Sequence, residues 1–250
     1  LGKLIAEERD KIFLATKAGY EGGSSRATIE RTFAESCARL GLDDVAALYL
    51  HRFDDDTPLE ETFGALADLV YAGRVRHSGV SNFAAWQVVK AQQVALNFGI
   101  SISLLQPMYN LVKRQVEVEL LPAAADQRIH VAAYSPLGGG LLTGKYRRSG
   151  AEGRLASDSR YAARYGQDWM TESAAALCDL ADEMGVNPAT LAVAWAGYRE
   201  NVTPIISARS VEQLQPSLDA LSFEMDAALY ARLSALSPTP APAADRLEEA

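Results

Sequence analysis

Polar or reactive side chains follow the apolar runs of this chain at regular intervals. Six such junctions recur: Ile12–Thr16 leads into Lys17, Val45–Leu50 into His51, Val75–Val80 into Ser81 and Asn82, Ile102–Leu105 into Gln106, Ile129–Ala133 into Tyr134 and Ser135, and Val202–Ile206 into Ser207. Lysine, histidine and tyrosine can hold or transfer protons, whereas serine, asparagine and glutamine can orient a ligand through hydrogen bonds. The pattern therefore predicts a ligand site assembled from the ends of many strands.

Two of these junctions open stretches that are suited to binding a phosphate group. In Val131–Tyr146 a strand leads into the consecutive glycines Gly138–Gly140, and Lys145 follows them. Glycines let backbone amides approach an anion closely, and a lysine adds a point charge. A second stretch, Ser207–Gln213, follows the last strand. A glycine-rich loop alone also suits a simple change of chain direction, so the phosphate interpretation depends on both stretches.

Helical stretches separate the apolar runs. Spaced apolar residues predict helices over Ser25–Leu40, Pro58–Ala72, Ala84–Asn97, Gln115–Asp126, Glu172–Met184 with Pro188–Tyr198, and Val211–Leu221. Gly41 is a natural helix end, and Thr57 with Glu60 has the outline of a capping box. Arg147–Trp169 lacks such a pattern and predicts an irregular binding loop. Alternating strands and helices with short connections indicate a parallel sheet covered by helices.

The same junctions favour one of two sheet architectures. An open parallel sheet concentrates its ligand contacts near one crossover point, whereas a closed barrel collects them from the carboxyl ends of many strands. Ligand-type residues at every strand end favour the barrel, which has eight strands. Only six of the eight strands are visible, and the pattern of Leu1–Arg9 is typical of the end of a helix. We therefore expect two further strands to precede Leu1.

The predicted fold class is therefore α/β, a (β/α)8 TIM barrel that lacks its first two strands in the numbered chain. The two anion-binding stretches would then follow the seventh and eighth strands, where such barrels often bind phosphate. We expect residues 1–236 to form this single barrel domain and residues 237–250, which are rich in proline and alanine, to form a tail. Trp86 and Trp195 lie on helical patterns and are expected to be packing residues.

The composition narrows the classes of partner. The 250 residues carry a formal net charge of −8 without a basic block, which argues against nucleic acid and anionic membrane surfaces. No run reaches transmembrane length, no signal peptide is visible, and Cys37 and Cys178 suggest reduced thiols in a cytoplasmic protein. Asp54, Asp55 and Asp56 precede a helix and complement its dipole, so no metal site is expected. A small-molecule ligand fits best, and the sequence specifies no oligomeric state.

As an ordered set, the junction sequences resemble the aldo-keto reductase superfamily. The matching motifs are Phe13-Leu14-Ala15-Thr16-Lys17, Leu48-Tyr49-Leu50-His51-Arg52-Phe53, Gly79-Val80-Ser81-Asn82-Phe83, Leu105-Gln106-Pro107-Met108-Tyr109-Asn110, Tyr134-Ser135-Pro136-Leu137 and Ser207-Ala208-Arg209-Ser210. They are similar to the bacterial and potassium-channel β-subunit-like branch and span essentially the whole chain. The resemblance implies that a nicotinamide cofactor, usually NADPH, reduces small aldehydes or ketones to alcohols.

The resemblance also implies a catalytic tetrad of Asp, Tyr, Lys and His, in which Tyr donates a proton to the carbonyl oxygen. Lys17 and His51 match the last two members. Negative charge grows on the carbonyl oxygen during hydride transfer, so a positioned acid and nearby donors are required. The family's Asp and Tyr follow the second strand, which we expect to precede Leu1, and Tyr20 does not match their motif.

The implied cofactor residues come from most of the junctions. The nicotinamide carboxamide would be contacted by Ser81, Asn82 and Gln106, and its ring would be stacked on Tyr134. The residues lining the diphosphate would be Ser135, Pro136, Leu137, Gly139, Leu141 and Lys145. The adenosine phosphate would be held by Ser207, Arg209, Gln213 and Ser217. Arg209 favours NADPH over NADH, because a guanidinium pairs well with a 2′-phosphate, and Arg154 is a second candidate. Pro216 and Ser217 replace the glutamate and asparagine that are usual there, so the adenine contacts are expected to differ.

Three functions stay open at this point. The first is reduction of small aldehydes or ketones, based on Lys17 and His51 at consecutive strand ends. The second is a non-enzymatic regulatory subunit that senses NADPH, against which His51 argues because some regulatory relatives replace it. The third is a phosphate-binding barrel lyase or isomerase that needs no nicotinamide.

Overall fold

The computed structural model describes residues 1–147 and 152–244. Its strands are β1 (Ala15–Ala18), β2 (Val45–Leu50), β3 (Val75–Ser81), β4 (Ile102–Gln106), β5 (His130–Tyr134) and β6 (Val202–Ile205). Its α-helices are α1 (Gly2–Ile5), α2 (Arg26–Leu40), α3 (Leu59–Tyr71), α4 (Ala85–Asn97), α5 (Leu120–Asp126), α6 (Arg154–Ser157), α7 (Ser159–Tyr165), α8 (Asp168–Met184), α9 (Pro188–Ala196), α10 (Val211–Asp219) and α11 (Ala227–Ser234). Short 3₁₀ segments cover Ala6–Lys11, Gln115–Glu117, Gly138–Thr143 and Lys145–Arg147.

The strands form one six-stranded sheet in sequence order, from β1 to β6. The pairs from β1 to β5 are parallel, with Lys17 opposite Tyr49 and Ser81 opposite Gln106. Parallel neighbours joined through helices bring the carboxyl ends of the strands to one edge. The predicted α/β class is confirmed, and the sheet stays open in the described part of the chain, consistent with a barrel of the predicted type.

Burial explains why these segments form this sheet. Every residue of β2 is buried, as expected for a parallel strand that is covered on both faces. In α2, Ile29, Phe33 and Cys37 are buried at four-residue spacing, which gives the helix one apolar face. Ser25 caps its first turn, and Gly41, at φ +68°, ends it in the left-handed region, as predicted.

The residues divide into two compact units. The first unit comprises Leu1–Pro107 with Ala123–Val131, and the second comprises Met108–Pro122 with Ala132–Ala250. The first unit contains β1 to β4 and a core around Leu48, Phe63 and Leu66. The second unit contains β6 and a core around Trp195, which confirms Trp195 as a packing residue.

Several boundaries differ from the prediction. Strand β1 begins at Ala15 rather than Ile12, because the preceding 3₁₀ segment extends to Lys11. Thr57 does not cap α3: its hydroxyl donates to Asp54 instead, at 2.6 Å, and the cap position falls on Pro58. Trp86 is 60% exposed and does not belong to the core.

The segment predicted as an irregular loop is largely helical where it is described. Helices α6 and α7 lie between Arg154 and Tyr165, and α8 begins at Asp168 instead of Glu172. Residues 148–151 of that prediction lie outside the described residues. Helix α11 was not predicted, and within the described residues no helix is long and apolar enough to cross a membrane.

Candidate active site

Lys17 lies within β1, so its position is set by the sheet. The register places it opposite Tyr49, and its Nζ lies 6.0 Å from the centre of the Tyr49 ring. The side chain is half-buried and forms no ion pair with another described residue. Burial lowers the pKa of Lys17, because a charged ammonium loses solvation there.

His51 follows β2 directly and is anchored by the neighbouring strand. Its backbone N–H donates to the carbonyl of Ala18 at 2.8 Å. Burial lowers the pKa of His51, and the positive charges of Lys17 and Arg52 lower it further. An imidazole with a lowered pKa is uncharged near neutral pH, where it can donate one hydrogen bond and accept another.

A row of hydrogen bonds connects His51 to β4. Asn82 Nδ2 donates to the carbonyl of His51 at 2.9 Å and to Ser81 Oγ at 3.1 Å. Ser81 Oγ in turn donates to the carbonyl of Gln106 at 2.7 Å. Asn82 adopts φ +58°, a left-handed conformation that asparagine tolerates better than most residues. The structure therefore brings Lys17, His51, Ser81, Asn82 and Gln106 together within the first unit.

Two tyrosines belong to this group that the sequence did not indicate as site residues. Burial raises the pKa of Tyr49, and the nearby Gln106 side chain lowers it by a smaller amount. Tyr20 lies over His51 with ring centres 4.6 Å apart, and the guanidinium of Arg52 lies 5.4 Å from the Tyr20 ring. Alternation along β2 could have indicated Tyr49, which is two residues before His51, but Tyr20 lies in a loop without periodicity.

Asp54 fastens the two loops beside this group to each other. Its carboxylate accepts from the backbone N–H of Ser24 at 2.7 Å, from the Thr57 hydroxyl at 2.6 Å and from the backbone N–H of Asp56 at 3.2 Å. The Thr57 hydrogen bond is the largest cause of the lowered pKa of Asp54. The aspartate cluster thus has a structural role in joining loops, in addition to its place ahead of α3.

In the second unit, Tyr134 and Ser135 begin the glycine-rich loop. The backbone N–H of Tyr109 donates to the carbonyl of Tyr134 at 3.2 Å, and burial raises the pKa of the Tyr134 phenol. Ser135 adopts φ +59°, and Asn110 Nδ2 donates to its carbonyl at 2.9 Å. Asn110 is fully buried, and its side chain secures the loop at its first turn.

The glycine-rich loop has the backbone conformation that close approach to a ligand requires. Gly139 and Gly140 have φ values of +66° and +97°, which favour glycine over residues with a side chain. A Cβ on Gly139 would lie 2.8 Å from a ring carbon of Tyr161, and one on Gly140 would lie 2.9 Å from Lys145 Nζ. Of the other predicted residues, Pro136 and Leu141 are buried, whereas Leu137 and Lys145 are more accessible.

The last group of predicted residues surrounds the start of α10. The Ser210 hydroxyl caps this helix through the Gln213 N–H at 3.3 Å, and Gln213 Oε1 accepts from the Arg209 N–H at 3.4 Å. Ser207 and Arg209 are exposed, while Ser217 is buried. Arg209 and Lys145 form no ion pair among the residues described, which leaves both cations available to an anion.

Comparison with known proteins assigns the chain to a family. The family model described as Aldo/keto reductase family matches residues 1–238. The chain belongs to this family. This membership confirms the resemblance of the ordered motifs, and it argues against the barrel lyase or isomerase as a function.

Three relatives show the range of proteins within the family to which the chain is similar. An uncharacterized oxidoreductase, YrpG, of Bacillus subtilis (strain 168) is 34% identical, with 96% of this chain and 77% of the relative covered. A probable voltage-gated potassium channel subunit beta of Arabidopsis thaliana is 34% identical, with 88% and 72% covered. Aldo-keto reductase yakc [NADP(+)] of Schizosaccharomyces pombe (strain 972 / ATCC 24843) is 29% identical, with 87% and 67% covered.

Proposed function

We propose that this protein is an NADPH-dependent aldo-keto reductase that reduces small aldehydes or ketones to alcohols. The observation that carries the proposal is the hydrogen-bonded row from His51 through Asn82 and Ser81 to Gln106, with Lys17 beside it. Such a row fixes the side chains of Asn82 and Ser81 and the main chain at His51 and Gln106 before a substrate arrives. Groups held in this way can stabilise developing charge without reorganising during the reaction.

The chemistry of the donors present fits a nicotinamide dinucleotide. Ser81, Asn82 and Gln106 offer hydroxyl and amide groups, which match the donors and acceptors of a carboxamide. In the second unit, the glycines of the loop would let backbone amides reach a diphosphate, and Lys145 and Arg209 supply positive charge. A reduced nicotinamide, when bound, supplies the hydride that adds to the carbonyl carbon.

The residues of the first unit have separate tasks in this proposal. His51 in its neutral form donates a hydrogen bond to the carbonyl oxygen and orients it. Lys17 provides positive charge near the same oxygen, where negative charge develops. We assign positioning and polarisation to these two residues, and we assign no proton donor within residues 1–250.

The decisive experiment is the substitution Lys17→Met, assayed with NADPH and a panel of small aldehydes. We expect turnover to fall about a hundredfold or more, since a preorganised charge is lost, while NADPH binding measured by fluorescence is retained. Lys90→Met is the matched control, because Lys90 is exposed on α4 and its substitution removes one positive charge at a position outside the site. Full activity of Lys17→Met would refute the assignment.

A second candidate function is a regulatory subunit that senses NADPH. It is favoured by the similarity to the Arabidopsis relative named as a probable potassium channel subunit beta. Under this alternative, the unaltered protein would bind NADPH tightly and turn over no aldehyde in the panel. Measurable turnover that depends on Lys17 would exclude it as the sole function.

A further inference from the structure

A cavity in the second unit lies outside the residues assigned to the cofactor. Its volume is about 380 Å³, within the range of about 300–1,000 Å³ typical of small-molecule sites. Met108 and Trp169 contribute apolar surface, the buried residues Leu111 and Met170 also line the cavity, and Pro238 of the C-terminal segment contributes to its wall. Lys113 also lines the cavity and brings a positive charge to a mainly apolar surface.

The main chain at Lys113 is fixed by a tight turn. The Lys113 N–H donates to the carbonyl of Asn110 at 2.9 Å, and the Val112 N–H donates to Asn110 Oδ1 at 3.0 Å. Asn110 is itself fully buried and bonded to Ser135 and to the hydroxyl of Tyr165. The main chain that carries the lysine is therefore held in place by buried hydrogen bonds.

Lys113 and Arg164 are cations without a carboxylate partner in the part of the chain that the structure describes. Lys113 Nζ lies 5.8 Å from the centre of the Tyr165 ring, and the Arg164 guanidinium lies 5.3 Å from that of Tyr161. Burial lowers the pKa of Lys113, and the charge of Arg164 lowers it further. The partly buried ammonium of Lys113 thus lacks a compensating negative charge among the described residues, and a bound anion would supply one.

The neighbouring residue Arg114 differs from Lys113 because its charge is paired with a carboxylate of the protein. Arg114 also lines the cavity, but it donates to both carboxylate oxygens of Glu117, at 2.9 Å each, and to the carbonyl of Ser234 at 2.7 Å. Its charge is thus neutralised within the protein. The adjacent carboxylate serves Arg114 and leaves Lys113 without compensation.

We propose that this cavity binds a small organic anion with an apolar body, whose carboxylate or phosphate is held by Lys113. The apolar body would lie against Met108 and Trp169, where burial of its hydrocarbon stabilises the complex. None of Lys113, Met108 and Trp169 is among the residues assigned to the cofactor. Binding at this site does not require NADPH or turnover, so it stands or falls independently of the reductase proposal.

The test compares three ligands with the same six-carbon body by titration calorimetry. Hexanoate and hexyl phosphate carry an anionic group, whereas hexanamide is neutral. We expect at least one of the two anions to bind about tenfold or more tightly than the amide, since charge-assisted hydrogen bonds are stronger than neutral ones. The comparison of the two anions identifies which anionic group the site prefers, and equal affinity for all three ligands would overturn the proposal.

Variants then locate the binding. Lys113→Met is expected to remove about tenfold in affinity for the preferred anion, whereas Lys113→Arg retains the charge and the binding. Lys90→Met serves again as the control with the same charge change at a distant exposed position. Unchanged anion affinity in Lys113→Met, or an equal loss in Lys90→Met, would refute the assignment to this cavity.

Discussion

The site residues of the two units are held in place by different kinds of structure. In the first unit, Lys17, His51 and Gln106 lie in or next to parallel strands, and side-chain hydrogen bonds link the strand ends. In the second unit, the ligand-type residues lie on a loop whose shape depends on left-handed glycines and on the buried side chain of Asn110. The first arrangement suits chemistry at one carbonyl group. The second suits recognition of anions by backbone N–H groups and by the cationic side chains of Lys145 and Arg209.

This difference predicts separable phenotypes. Substitutions of Lys17 and His51 should lower turnover and leave cofactor affinity largely intact. Substitutions in the loop should affect cofactor affinity and leave the protonation behaviour of His51 unchanged.

The largest effect on binding is expected for Gly139→Ala. The new methyl group would lie 2.8 Å from the Tyr161 ring at a φ of +66°, so both backbone strain and a clash would distort the loop. Strain of about 1–3 kcal/mol corresponds to roughly fivefold to 150-fold weaker NADPH binding, measured by fluorescence titration. Gly185→Ala is the control, because Gly185 has the same φ of +66° with no atom within 4 Å of the added Cβ. Equal losses in the two variants would contradict a specific role for the loop.

The next effect concerns the stability of the second unit. Asn110→Ala removes the donor to the Ser135 carbonyl and the acceptor of the Val112 N–H. Leaving such buried groups unpaired costs about 1–3 kcal/mol, which urea unfolding monitored by circular dichroism would report. Asn97→Ala, on the exposed end of α4, should change the free energy of unfolding by less than about 0.5 kcal/mol. A comparable stability of both variants would show that Asn110 does not support the loop.

A smaller effect is expected for Arg209→Leu, since this residue is exposed and its interactions are screened. Its guanidinium is proposed to pair with the 2′-phosphate that distinguishes NADPH from NADH. The ratio of the affinities for NADPH and NADH should therefore fall by about tenfold. Arg39→Leu, which changes an exposed arginine on α2, should leave that ratio unaltered. An unchanged ratio in Arg209→Leu would remove this residue from the cofactor site.

The smallest effect is a shift in the titration of His51, followed by NMR. Burial and the charges of Lys17 and Arg52 hold its pKa below the usual value of 6.5, so Lys17→Met should move the pKa upward. The lowered pKa also means that the unfolded chain takes up a proton before the folded chain does. Stability contributed by neutral His51 is therefore complete above pH 6.5 and is lost as the pH falls toward the lowered folded value. A downward shift of the pKa in Lys17→Met would contradict the placement of these two residues.

The strand ends were predictable from the sequence because apolar runs and their polar successors are local patterns. The prediction for β2 was confirmed residue for residue, and His51 follows it as expected. The prediction for β1 was wrong by three residues at its start, because a 3₁₀ segment competes for the residues before Ile12. The family was predictable from the order of the motifs, whereas the roles of single site residues stay predictions.

The features that the sequence did not indicate depend on contacts between distant residues. Tyr20 lies over His51 and Asn110 bonds to Ser135, and neither pairing has a periodic signature. Thr57 was a reasonable cap by local rules, but Asp54 competes successfully for its hydroxyl. Trp86 has helical spacing, yet it extends from α4 toward Phe53 and stays exposed. Local patterns identify elements, and tertiary hydrogen bonds decide how loops and exposed side chains are arranged.

The carboxylate of Asp54 connects the loop at residues 19–24 to the loop at residues 52–57 through hydrogen bonds. Replacing residues 52–57 alone would remove Asp54 and leave the Ser24 N–H without its acceptor, and replacing residues 19–24 alone could displace the N–H from which Asp54 accepts. Anyone who seeks to redirect this protein toward other carbonyl compounds should therefore move the two loops together. The strand-end groups behind them are secured by β3 and β4 and would keep their places during such an exchange.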